Sequence, residues 1–208
     1  MSFFDNTRKP QGFGGKIMVA MMNSGHSAMA EWGLRHIHIA DHSDILDIGC
    51  GGGANIKKML SLCPHGRVSG IDYSPISVEK SRKVNRKAIA DRRCAVSEGS
   101  AIALPFSEDS FDIVTAFETV YFWPEIEKCF SEVYRVLKPN GCFMICNESN
   151  GETHKDDKWV EKIGDMTIYN GEQLHTFLTN ASFSDIQVDK NEKGWLCVKT
   201  YKGTTQKT

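Results

Sequence analysis

The sequence predicts an α/β fold: a doubly wound, mostly parallel sheet of seven strands, with helices on both faces and one antiparallel strand near the C-terminus. Three observations carry this. An apolar strand, Ile45-Leu46-Asp47-Ile48, runs into Gly49, Gly51, Gly52 and Gly53 and then into a helical pattern. From Ser43 to Cys146 strand-length apolar runs alternate with helical ones, which demands parallel strands joined by right-handed crossovers. Two closing strand patterns, at 183–190 and 195–201, meet near Asn191-Glu192-Lys193-Gly194, and such a hairpin reverses one strand of the sheet.

In chain order, residues 14–39 carry a helical pattern broken at Asn23-Ser24-Gly25. Met18, Met21, Met22, Met29 and Trp32 give it an apolar, pliable face, suited to packing on the sheet or to capping a cleft. Strands are expected near 44–49, 67–72, 93–97, 111–117 and 141–146, with helices between them near 53–62, 75–90 and 124–137. Ser74 supplies an N-cap with Pro75 at the first helical position, and Pro139-Asn140-Gly141 stops the last of these helices. The polar stretch from Asn147 to Asn170 is long for a simple connection, so it is a candidate substrate loop or lid, or else a surface loop. A further helix is expected at 171–180.

With 208 residues, 40% of them hydrophobic, the chain is expected to form a single domain over 1–208: residues 1–42 as an N-terminal helical cap and 43–208 as the core. A net charge of −1, with charges spread along the chain, argues against a nucleic-acid partner. The early apolar run Ile17 to Met22 is far shorter than the roughly twenty residues a membrane span needs, so a cytoplasmic protein without a membrane partner is expected. The seven cysteines, at 50, 63, 94, 129, 142, 146 and 197, form no CxxC pair and have no histidine at zinc spacing; they read as reduced, buried residues, and no metal is expected.

The chemistry lies in the glycine turn. Only glycine lets the backbone turn sharply and approach a ligand with no Cβ in the way, and the helix that follows points free N–H groups at whatever binds there. A second strand, Arg67-Val68-Ser69-Gly70-Ile71, ends in Asp72, about twenty residues past the first glycine, where a doubly wound fold places an acid against ribose hydroxyls. Asp47 then discriminates between cofactors. A dinucleotide would bring an anionic pyrophosphate toward this carboxylate, whereas S-adenosylmethionine brings an ammonium and a sulfonium, which it favours.

The run Asp47-Ile48-Gly49-Cys50-Gly51-Gly52-Gly53 resembles the first motif of class I S-adenosylmethionine-dependent methyltransferases, a family with a Rossmann-like fold. Four further matches follow in order. They are Gly70-Ile71-Asp72-Tyr73-Ser74, Ser100-Ala101 with Leu104-Pro105-Phe106, Phe111-Asp112-Ile113-Val114 through Trp123-Pro124, and Leu137-Lys138-Pro139-Asn140-Gly141. The resemblance covers 43–146 firmly and the closing hairpin loosely. It implies that Gly49 and Gly51 underlie the methionine and ribose portions of the cofactor, that Asp47 neutralises the ammonium directly or through water, and that Asp72 holds the ribose. Tyr73 would flank the adenine and Ala101 would donate its N–H to a ring nitrogen. The family commonly carries Asp where Ser100 stands; serine is shorter and uncharged, and Glu98 sits on the strand rather than in the loop.

Phe117-Glu118-Thr119-Val120-Tyr121-Phe122-Trp123 leaves the fourth strand where the transferable methyl would lie. Glu118, on the cofactor's side, with Tyr121 and Trp123, are the pocket candidates. Methyl transfer from a sulfonium is an in-line displacement, for which positioning alone can supply roughly 7–11 kcal/mol. His26 or Tyr121 is expected to deprotonate or orient the nucleophile, with Glu148 a further cleft-edge acid. The chain lacks the Asn/Asp-Pro-Pro-Tyr and Pro-Cys motifs of base- and glutamine-modifying members, which leaves a small-molecule O-, N-, S- or C-methyltransferase. Two rivals stand beside it: a non-catalytic cofactor-binding sensor or scaffold, and an NAD(P)-dependent oxidoreductase, since Gly49, Gly51 and Ala54 also satisfy G-x-G-x-x-G/A. Oligomeric state is not encoded in any of these signals.

Overall fold

A computed structural model describes residues 27–152, 160–161 and 166–204. Its strands are β1 Asp44–Ile48, β2 Arg67–Asp72, β3 Cys94–Glu98, β4 Phe111–Phe117, β5 Leu137–Asn147, β6 Phe183–Lys190 and β7 Leu196–Lys202. They form one sheet in the order β3-β2-β1-β4-β5-β7-β6. Pairs from β3 through β5 are parallel, and β7 runs antiparallel to both β5 and β6. Because β1 sits between β2 and β4, the chain crosses over in opposite directions on its two sides, and a crevice opens beyond the carboxyl ends of these strands.

The central strands are apolar on both faces because helices cover both. The helices are α1 Ser27–Leu34, α2 Ala54–Leu62, α3 Pro75–Val84, α4 Arg86–Ala90, α5 Ile126–Val136 and α6 Gly171–Asn180. On one face Met29 of α1, Ile56 and Met59 of α2 and Val78 of α3 pack with Ile45, Val68 and Met144. On the other, Phe130 and Val133 of α5 and Leu174 and Leu178 of α6 pack with Leu46, Val114 and Phe143. The buried positions of α5 recur at three- and four-residue spacing, the stripe that an amphipathic helix lays on a sheet. The Asn170–Gln173 capping box starts α6.

Three elements differ from expectation. The single helix expected at 75–90 is two, because Asn85 leaves the helix and turns its buried side-chain amide to the carbonyls of Gly53 and Ser81, both at 3.0 Å. That bond ties the end of α3 to the glycine turn. Strand β5 begins at Leu137 rather than at 141: Leu137 pairs with Phe111, and Asn140, at φ +62°, carries a register shift before Cys142 meets Ile113. The helix expected to reach residue 39 ends at Leu34, where Arg35 and His36 N–H groups close turns on Trp32 and Gly33. The earlier part of that pattern, with Met18, Met21 and Met22, lies outside the described residues. Helix α1 lies so close to β5 that a Cβ on Gly33 would stand 2.5 Å from Cys146 Sγ.

All seven cysteines are free and buried, and desolvation pushes the thiols of Cys50, Cys63, Cys94, Cys129 and Cys142 up, to about 11 at Cys94 and about 12 at Cys129 and Cys142. No helix among the described residues is long and apolar enough to cross a membrane.

Candidate functional site

The glycine turn is built from three residues with positive φ: Gly49 at +72°, Gly51 at +50° and Gly53 at +78°. They do different work. A Cβ on Gly49 would lie 2.1 Å from Thr119 Oγ1, and one on Gly53 would meet Ser81 Oγ at 2.4 Å and Asn85 Nδ2 at 2.6 Å, so these two permit close packing. A Cβ on Gly51 would meet nothing within 4 Å. Its missing side chain opens onto free space, the cradle a ligand needs. The turn is locked to β2 by Gly49 and Cys50 N–H groups, both donating to Ile71 O at 2.8 and 2.9 Å.

Asp72 ends β2 at the edge of this space. Its carboxylate accepts from Gly51 N–H and Ser74 N–H, each at 2.9 Å, and burial raises its pKa against those bonds. A cleft with about 670 Å³ of empty space, its open side included, runs from Ile48 and Gly49 across Ile71, Asp72 and Tyr73 to Gly99, Ser100 and Ala101. Thr119, Phe122, Trp123 and Pro124, from the turn after β4, form the opposite wall. The far edge is held from below. Glu132 accepts from Leu104 N–H at 2.8 Å, while Arg135 donates to the Leu104 and Phe106 carbonyls and clasps Glu132.

Asp47 stands behind the glycine turn, only 2% exposed. Its Oδ1 accepts from Thr115 Oγ1 at 2.8 Å. Burial pushes its pKa up to about 7, the Thr115 bond opposes this, and the charge of Asp72 adds to it. Among the described residues no Lys, Arg or His pairs with either carboxylate. Two buried acids beside one cleft, with no cation between them, favour a cationic ligand and disfavour an anionic one.

Glu118 and Tyr121 form a separate network at the ends of β4 and β5. Glu118, at φ +57°, accepts from Glu148 N–H and, at 3.2 Å, from the Tyr121 hydroxyl. That hydroxyl accepts from Ser149 N–H at 3.1 Å, and the Tyr121 carbonyl accepts from Thr167 N–H at 2.9 Å. Burial and the neighbouring Glu118 carboxylate push the phenol well above its ordinary range. Tyr121 thus joins the turn after β4 to both ends of the polar stretch that follows β5. The cleft lining holds neither Tyr121 nor Glu118, and His26 lies outside the described residues.

Of the residues singled out from sequence, the fold brings Gly49, Asp72, Tyr73, Ser100, Ala101 and Trp123 to one cleft, with Gly51 at its edge through Asp72 and Asp47 behind it. Thr115 and Thr119 escaped sequence reasoning. Thr115 left a signal, a hydroxyl inside the otherwise apolar interior of β4, Ile113 to Phe117. Thr119 left none, because its role depends on the distant Gly49. Among the described residues no group of three or more His, Cys, Asp or Glu side chains is placed to hold a metal ion.

A doubly wound sheet with a glycine turn after its first strand and an acid on each of its first two strands is the architecture that holds a nucleoside-bearing cofactor in the crevice beside β1. Residues 46–145 match a family described as a methyltransferase domain, and the chain is similar there to the class I S-adenosylmethionine-dependent methyltransferases. It is 30% identical over 165 residues to a 24-methylenesterol C-methyltransferase of Arabidopsis thaliana, covering 78% of this chain and 44% of that protein. It is 34% identical over 119 residues to the demethylmenaquinone methyltransferase of Lactiplantibacillus plantarum, covering 56% and 49%. The chain thus spans less than half the length of these relatives. Among solved structures, a Haemonchus contortus phosphoethanolamine N-methyltransferase bound to S-adenosyl-L-methionine matches with a TM-score of 0.79 at 17% identity, over 98% of this chain and 60% of that one. A methyltransferase from Aquifex aeolicus matches with a TM-score of 0.75 at 17% identity, over 90% and 98%.

Proposed function

We propose that this chain binds S-adenosylmethionine and transfers its methyl group to a small, apolar acceptor, with a carbon atom as the nucleophile. One observation carries the cofactor half of this reading: Asp72 is buried on the Gly51 N–H beside open space and Asp47 is buried behind the same turn, with no cation paired to either among the described residues. A sulfonium and an ammonium complete that arrangement, whereas the pyrophosphate of NAD(P) would face two carboxylates. The acceptor half is supported by the sterol and demethylmenaquinone substrates that the relatives' names give, and by the aromatic wall of Phe122 and Trp123.

In this reading Asp72 accepts both ribose hydroxyls, Gly49 and Gly51 form the floor, and Tyr73 flanks the adenine. Ser100 and Ala101 close the far edge, where the Ala101 N–H reaches a ring nitrogen and the Ser100 hydroxyl replaces a carboxylate. Asp47 neutralises the ammonium. When bound, the cofactor supplies a methyl group on an already activated sulfonium, so the protein's share is alignment and exclusion of water. Glu118 and Tyr121 frame the acceptor side of the cofactor by fixing the turn after β4, and His26 is the group proposed to take a proton where the acceptor must lose one.

Calorimetric titration with S-adenosylmethionine, S-adenosylhomocysteine and NAD(P)H, on the wild type and on Asp72→Ala, tests this. The expected result is binding of the first two and at least about 100-fold weaker binding in the variant, the loss of two charge-assisted hydrogen bonds. Binding of NAD(P)H alone, or of nothing, overturns it. Cofactor binding without transfer of a labelled methyl group to any of a panel of sterols and isoprenoid quinols makes the chain a sensor or scaffold instead.

A further inference from the structure

In the parallel register of β1 and β4, Asp47 stands directly opposite Thr115. Both side chains are shut away from solvent: Thr115 is 0% and Asp47 2% exposed. The Thr115 hydroxyl has two acceptors within reach, Asp47 Oδ1 at 2.8 Å and Leu46 O at 3.4 Å, with Met59 Sδ at 3.8 Å behind it. A hydroxyl carries one proton to give and can also accept. It can therefore serve both charge states of its partner. Toward an ionised Asp47 it donates to Oδ1; toward a protonated Asp47 it accepts, and turns its own proton to the Leu46 carbonyl.

Among the described residues, the surroundings of Asp47 contain no other group that would do this. From β2 comes Asp72, whose negative charge opposes ionisation, and from the glycine turn comes the Cys50 thiol, itself raised by burial and by both acids. Helix α2 contributes Met59, while its Lys58 is turned away to Ser27 and Glu31. From α3 Ser81 reaches only as far as Cys50, at 3.9 Å.

We propose that Thr115 is a positioning residue for Asp47: its hydroxyl directs the carboxylate toward the cofactor's ammonium and keeps it ready to ionise, so that cofactor capture expels a proton from this pair. The inference rests on the cofactor reading above. Burial raises the Asp47 pKa to about 7 and the Thr115 bond is what holds it down. A cation arriving beside it favours the ionised form, and the displaced proton goes to solvent.

The test is the affinity for S-adenosylhomocysteine between pH 5.5 and 8.5, by calorimetry in two buffers of different ionisation heat, together with carbon-13 titration of the Asp47 carboxyl in the ligand-free protein. In the wild type, affinity falls as pH drops below 7, approaching about tenfold per unit, and binding near pH 7 releases a fraction of a proton. Thr115→Val moves the Asp47 titration up by about one unit and weakens binding at pH 7 by about fivefold, a loss recovered at pH 8.5; Thr115→Ser restores the wild-type profile. Asp47→Asn removes the proton release that belongs to this pair and reports any that comes from the ligand's own amine. An unchanged carboxyl titration and pH profile in a folded Thr115→Val protein overturn the inference while leaving the cofactor reading intact. Failure of the wild type to bind at any pH overturns both.

Discussion

The two halves of the crevice are built in opposite ways. On the cofactor half, around Gly49 to Gly53 and Asp72, backbone groups set the positions: glycines at positive φ make the turn, and the end of β2 holds its N–H groups through Ile71 O and the Asp72 carboxylate. On the half beyond β4 and β5, the Glu118 and Tyr121 side chains set most of them. Glu118 is held by Glu148, and Tyr121 by Ser149 and Thr167, the first two contacts about thirty residues apart and the last farther still. A region held by backbone groups can bind one constant ligand in many proteins, while a region held by side chains is free to change with the acceptor. The difference also predicts what each region loses when it is altered.

The largest effect contrasts two glycines of the same turn. Gly49→Ala drives a Cβ into Thr119 at a positive φ and should cost about 3 kcal/mol of stability or more, read from denaturant unfolding. Gly51→Ala pays only the conformational strain, about 1–2 kcal/mol, yet fills the cradle and should abolish cofactor binding by calorimetry. Equal stability losses in the two variants would break the assignment of one to packing and the other to the ligand.

Next in size is a pH-dependent effect at Asp47. Its folded pKa, about 7, lies above the ordinary aspartate value near 3.8, so the native state binds the extra proton between those values. Stability from this group is therefore full below about pH 4, falls as pH rises toward 7, and is level above it, a penalty of up to about 4 kcal/mol. Asp47→Asn, which cannot ionise, should raise the melting temperature of the ligand-free protein at pH 8 and leave it unchanged near pH 4. A gain of the same size at both pH values would show that the carboxylate's charge is not the cause.

The smallest effect lies on the other half. Tyr121→Phe removes a hydroxyl that bonds Glu118 and Ser149, and should cost about 1–3 kcal/mol of stability and lower turnover. Cofactor affinity should stay within about twofold of wild type, because the cleft lining does not include Tyr121. A large loss of cofactor affinity would erase the boundary between the two halves.

Much of the architecture was legible from residue pattern. The spans of β2, β4, β6 and α6 were read from apolar runs and turn residues, because period and punctuation are local properties. Asp47, Gly49, Gly51 and Asp72 were legible for the same reason: strand, glycine turn and terminal acid are consecutive in the chain. The break at Asn85 was not, since a helical pattern continues through it and the Gly53 carbonyl that its side chain reaches is thirty-two residues away in the chain.

Chain order and periodicity alone settle a doubly wound sheet, a glycine turn after its first strand and a reversed strand at its end, since backbone geometry is dictated residue by residue. That a Cβ on Gly49 or Gly53 would clash while one on Gly51 would meet open space, that Thr115 meets Asp47, and that Tyr121 ties Glu118 to Ser149 was decided by the folded structure. Each depends on atoms far apart in the chain brought to within a few ångströms, and hydrogen bonds and steric contacts act only at that range.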